Sequence, residues 1–138
     1  MPQNFREAVL QGASVATQLH QELGVKDQII DSGGGINVFG AIDQRGYCLL
    51  FRPLEGLLGL CMQEPFPGVL VTTNRPLSIQ RFTAAHELGH LEMGHDFSLD
   101  DEDNIWRPRG RSQKELQEVS ANAFGATLLM PKWLLKKK

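Results

Sequence analysis

Apolar residues recur with helical spacing near the start of the chain, at Phe5, Val9, Gly12, Ala13, Ala16, Leu19 and Leu23. Asn4 followed by Glu7 supplies a start signal resembling a capping box, and Gly24 a stop. This predicts a first helix ending at about His20–Leu23. His20, at its end, reads as a surface or capping residue. The pattern then shifts towards sheet. Residues Ile36–Ile42 and Tyr47–Phe51, separated by a turn at Asp43–Gly46, read as a hairpin. Two further strands are expected at Leu57–Met62 and Val69–Thr73, on either side of the Pro65–Gly68 turn. From Ser78 the helical period returns and runs through Leu91 or Met93, with Gly94 as its stop. Asp96–Arg111 has many acids, a proline and a glycine but no apolar period, so it reads as an exposed loop with solvated carboxylates. Ser112 and Glu115 cap a last helix that Pro131 ends.

These elements predict an α+β fold, a small mixed or antiparallel sheet packed against helices. At 138 residues with 41% hydrophobic content, one core and a single domain over 1–138 are expected. The formal net charge is -2, and the basic residues are dispersed apart from Lys136–Lys138, which disfavours direct nucleic-acid binding. Cys48 and Cys61 are too few for a disulfide framework or a cysteine-rich metal site, and read as buried free thiols. The N-terminus lacks the blocks of a signal peptide and no run has the length of a membrane span, so the expected location is the cytoplasm. Gly33–Gly35 lacks the Lys-Ser/Thr pair of a phosphate loop and reads as the entry to a strand.

The chemistry is concentrated in His86-Glu87-Leu88-Gly89-His90, an H-E-x-x-H sequence on the central helix. Residues four apart lie one turn up and about 40° round, so both imidazoles converge on one ion. Glu87 sits about 100° from His86, too far round to be a ligand but within reach of an attacking water, as a general base. Ile79, Phe82, His86, His90 and Met93 share one face and Ala84, Leu88 and Leu91 the other, so the helix is expected to be covered on both sides. A catalytic zinc needs a third protein ligand. The candidates are His95, Glu115 and Glu118. On a continuing helix His95 turns about 140° away from His90, and Glu115 is explained by capping. Glu118 is preferred, because Glu118, Asn122, Gly125 and Leu129 form a row in which Gly125 permits close helix packing and Asn122 is placed to orient a ligand. Two histidines and a glutamate suit zinc, and also manganese or iron. Tyr47, His95, Arg75 and Arg81 are candidates for stabilising an oxyanion, and Val69–Thr73 is either a core strand or a substrate-pairing one.

Two blocks resemble the ImmA/IrrE-type metallopeptidases, a gluzincin-like family. Arg81–Leu91 is similar to R-F-T-x-A-H-E-L-G-H, and Glu118–Pro131 resembles E-x-E-A-N-x-F-A-A-x-L-L-M-P. Ser120 stands at a frequent Glu, Gly125 at a frequent Ala, and His95 falls one position late. The resemblance implies that Glu118 is the third zinc ligand. It also implies cleavage of a helix-turn-helix transcriptional repressor in phage, mobile-element, stress-response or toxin-antitoxin settings. Family members often extend past L-L-M-P, which leaves open a longer natural chain beyond Lys138. Two rival readings remain at this point, a zinc-containing domain that docks a repressor or antitoxin without cutting it, and a hydrolase of small amides or peptides.

Overall fold

The Asn4 side chain accepts from the Glu7 amide and starts helix α1, Phe5–Glu22, where the spacing places it. The structure is a computed structural model that describes residues 1–23 and 36–130. Gly24, the Gly33–Gly35 run, Pro131 and Lys136–Lys138 therefore lie outside the described residues. The elements that follow α1 are α2 (Val38–Gln44), β1 (Cys48–Arg52), β2 (Gly59–Met62), β3 (Gly68–Thr72), α3 (Leu77–Glu92), β4 (Ser98–Asp100), α4 (Glu102–Trp106) and α5 (Gln113–Leu129). The four strands form a mixed sheet in the order β1-β3-β2-β4, so the fold is α+β. β1 runs parallel to β3, and β2 is antiparallel to both β3 and β4. Because β3 is paired along both sides, Val69–Thr73 is a core strand with no edge to offer a peptide.

Helix α3 lies across β2 and β3 on one side and against α5 on another, while α1 runs along α5. Every residue from Thr83 to Leu91 is buried as a result. Ala84, Ala85 and Leu88 of α3 join Val69, Val71 and Phe124 in the main core. Gly89 makes the α3–α5 contact close, since a Cβ there would stand 2.9 Å from the Phe124 ring. At Gly125 a Cβ would meet Ala85 and the His86 amide at 3.4 Å, an ordinary contact, so the tight partner in this crossing is Gly89.

Four expectations are corrected. Ile36–Ile42 is not a strand of a hairpin. Asn37 caps the Gly40 amide, and Val38, Ala41 and Ile42 turn inward with helical spacing. The β-branched Val38 and Ile42 favour sheet, but burial of one helical face outweighs that preference. Asp96–Arg111 is not an exposed loop either, since it holds β4 and α4, the latter opened by a reciprocal Asp101–Asn104 capping box. His20 is buried and its Nε2 lies 3.1 Å from the Leu128 carbonyl, which ties the end of α1 to the end of α5. Cys48, at the start of edge strand β1, is exposed; Cys61 is buried, and both are free.

Ser120 also gains an explanation. It is fully buried, and its hydroxyl donates to the Ala8 carbonyl of α1 at 2.9 Å, a place with no room for a glutamate. The contrast between the two helix-crossing glycines is measurable by thermal unfolding. Gly89→Ala should destabilise by about 1–3 kcal/mol through overpacking, whereas Gly125→Ala should stay within ~0.5 kcal/mol. Equal shifts for the two variants would contradict this account of the crossing.

Candidate metal centre

Burial of α3 places the His86 and His90 rings inside the molecule with their Nε2 atoms 3.2 Å apart. From α5, Glu118 Oε1 stands 2.9 Å from His86 Nε2 and 3.3 Å from His90 Nε2. From β4, Asp100 Oδ2 stands 3.4 Å from His86 Nε2 and 3.5 Å from His90 Nε2. One ligand atom from each of the four lies within 4.8 Å of all the others, a group that could hold a metal ion. Zinc bonds of about 2.0–2.1 Å at tetrahedral angles set neighbouring donors ~3.3 Å apart, close to each of these distances. The donor set fits such an ion.

The supporting contacts fix which nitrogen faces inward. Asn122 Nδ2 donates to the Ile105 carbonyl of α4, which leaves Oδ1 as the atom presented to His86 Nδ1, 2.7 Å away. Oδ1 only accepts, so Nδ1 carries the hydrogen and Nε2 keeps its lone pair for the cluster. His90 Nδ1 lies 2.9 Å from His95 Nδ1. Burial first, then His90, lowers the pKa of His95 to about 4, so His95 is a neutral acceptor for the His90 Nδ1 hydrogen. Ser98 Oγ donates towards Glu118 Oε2 at 3.2 Å and Asp100 Oδ1 at 3.0 Å, and Asn104 Nδ2 donates to the same Asp100 oxygen at 3.1 Å.

Without a metal ion the cluster attracts protons. Burial works to lower the His86 pKa, but hydrogen bonding and charge from Asp100 and Glu118 overcome it and raise it to about 9. Asp100 is held well below the usual carboxylate range, burial being outweighed by its contacts with Glu87, His86 and His90. Glu87 is fully buried, with no regular hydrogen bond to either carboxylate oxygen, and its polar neighbours are the Asp100 carboxylate and the Cys61 thiol. Burial, followed by the adjoining Asp100 carboxylate, pushes it well above the ordinary range. Gly59 of β2 makes room here, since a Cβ would meet Thr83 at 2.6 Å and Glu87 Cγ at 3.5 Å. Asp100 Oδ2 makes no hydrogen bond of regular geometry and faces His86 Nε2 and His90 Nε2 at 3.4 and 3.5 Å. Buried carboxylate oxygens and imidazole nitrogens that converge with so few regular hydrogen bonds suit a cation.

The structure thus brings His86, His90 and Glu118 together, with Glu87 alongside and Asn122 behind His86. His95 supports His90 and is not among the four clustered donors. Glu115 is on the surface, its amide capped by Ser112 and its carboxylate paired with Arg111 at 3.1 Å. The oxyanion candidates have other partners: Tyr47 donates to Glu92, Arg75 pairs with Glu102, and Arg81 donates to the Ile36 carbonyl. Asp100 was missed. Its signal is an inverted strand pattern, in which Ser98 and Asp100 are buried while Phe97 and Leu99 are 50% and 46% exposed.

A family model, Peptidase M78, described as the IrrE N-terminal-like domain, matches residues 36–138. No curated protein matches the chain. Among the described residues no helix is long and apolar enough to cross a membrane.

Metal titration should give about one divalent ion per chain, with binding lost in His86→Ala and Glu118→Ala and weakened about 10–100-fold in Asn122→Ala. Full occupancy in Glu118→Ala would remove it from the ligand set. The metal-free protein carries its own pH signature. His86, raised from 6.5 to about 9, contributes stability that is complete below pH 6.5 and is lost as pH climbs through about 9. Glu87, also raised, acts in the same direction. A melting series on metal-free protein should fall on the alkaline side, while metal-loaded protein should weaken on the acid side as protons displace the ion.

Proposed function

The chain belongs to the Peptidase M78 family, whose model is the IrrE N-terminal-like domain, and from that membership we propose that it is a zinc-dependent endopeptidase. In this reading His86, His90 and Glu118 hold the metal and Glu87 is the general base. The observation that carries it is the convergence of two Nε2 lone pairs and the Glu118 carboxylate at one buried point, with a fully buried glutamate beside them. When bound, zinc supplies a Lewis acid that polarises the scissile carbonyl and makes water acidic near neutral pH.

The chain's own groups do the rest. Asn122 and His95 keep both imidazoles in the tautomer that ligates. Glu87, with a carboxyl raised by burial, is suited to take a proton from the attacking water and pass it to the leaving amine. By its resemblance to ImmA/IrrE-type proteins, the substrate is a helix-turn-helix transcriptional repressor cut at one site. Manganese or iron in the same donors is the chemical alternative to zinc.

One observation favours a second reading, a zinc-containing regulatory domain that docks its partner without cutting it. Four protein donors, Asp100 included, make a closed set of the kind found in structural zinc sites. The two readings separate on Glu87. Wild type and Glu87→Gln are incubated with a repressor encoded alongside the chain, and the products are read by mass spectrometry. The peptidase reading expects one specific cut by wild type and a loss of at least about 100-fold in Glu87→Gln, which retains its metal. Equal cutting by the variant would refute Glu87 as base, and binding with no cut by either would establish the docking role.

A further inference from the structure

Asp100 reaches the cluster from a three-residue edge strand. β4 covers the side of β2 that β3 leaves free, pairing Ser98–Asp100 with Cys61–Gly59. The Asp100 carbonyl also accepts from the Leu58 amide at 2.9 Å.

Three features set this donor apart from the other three. Both hydrogen bonds to Asp100 Oδ1 come from its own stretch of chain, from Ser98 two residues before and Asn104 four residues after. Apart from the second contact of the Ser98 hydroxyl, to Glu118 on α5, the carboxylate and its supports therefore travel together, whereas His86 is braced by Asn122 on a different helix. The strand also hides its polar side chains and leaves Phe97 and Leu99 half exposed, so lifting it away sacrifices little apolar burial. Finally, the group that adjoins Glu87 is the Asp100 carboxylate. A general base needs water in that place, and a site used only for structure has no need of a fully buried glutamate set against one of its ligands.

We propose that Asp100 is a displaceable fourth metal ligand and that β4 is the latch carrying it, which closes the site in the folded chain and admits water beside Glu87 when it lifts. The inference rests on the metal site proposed above. The edge of β2 that lifting exposes is a backbone surface of the kind extended peptides pair with.

The test uses the full chain loaded with cobalt, whose visible spectrum reports the atoms bound to it, and acetohydroxamate as a probe for an open coordination position. A latch closed about nine-tenths of the time or more weakens probe binding at least about tenfold. Wild type should accordingly respond weakly. Asp100→Ala should respond strongly and should hold cobalt at least about tenfold less tightly. Asn104→Ala removes a support of Asp100 without touching a ligand, and should strengthen the probe response while keeping cobalt; it also serves if Asp100→Ala fails to fold. The latch is overturned by a wild-type response as strong as that of Asp100→Ala, or by an Asn104→Ala response no stronger than wild type. A wild type that takes up no cobalt would instead overturn the metal site itself, so the two failures are distinguishable.

Discussion

A helix buried on all sides over nine consecutive residues, Thr83 to Leu91, has to be covered by partners that come very close, and the close helix partner is α5 at Gly89. That crossing governs the donor cluster. With the Phe124 ring seated on a backbone that has no side chain, α5 is near enough for Glu118 and Asn122, one turn apart, to meet the two nitrogens of a single imidazole. The sheet closes the opposite side, where Gly59 lets β2 approach Glu87. Glycine at two contacts thus allows one helix to be enclosed while carrying two histidines and a glutamate.

Enclosure raises an electrostatic problem that the fold meets in a particular way. Asp100, Glu118 and Glu87 are all withdrawn from water within one small volume, and burying such charge is costly unless positive charge joins it. Either a proton on His86 or a divalent ion supplies that charge, and the two compete for the same nitrogen. Folding and ion binding are coupled through this competition. The carbonyl of Ile105 extends the coupling outward, since it orients Asn122, which sets the His86 tautomer.

Much of this was legible in the residues because it depends on local spacing. The i, i+4 interval of His86 and His90, the Ser112 cap and the Glu118–Asn122 interval each have a mechanical meaning that survives without knowledge of the rest of the chain. Where the reading failed, tertiary context decided. Val38, Phe39 and Ile42 favour sheet by composition, but Asn37 caps a helix whose Phe39 then packs edge-on against Phe51 at 5.2 Å. Asp100 was hidden among neighbouring acids that are exposed, and a surface reading is correct for Asp101 to Asp103. Only the position of β2 turns Asp100 inward. His20 looked like a helix-end residue until the Leu128 carbonyl, more than a hundred positions away, was beside it.

The Ser120–Ala8 hydrogen bond separates two boundaries that are easily confused. Residues 36–138 match the family, yet α1, which precedes the match, covers the back of α5 along Ala8, Gly12 and Ala16 and draws a buried hydroxyl towards it. The matched span is therefore smaller than the unit that packs together. Ser120 lies within the matched span, but beside α1 it is half of a lock whose other half, the Ala8 carbonyl, lies before that span. Residues 120 and 8–12 form one packed surface, in which a Cβ at Gly12 would stand 2.0 Å from the Ser120 carbonyl, so bulk added there would part α1 from α5 and strand the Ser120 hydroxyl.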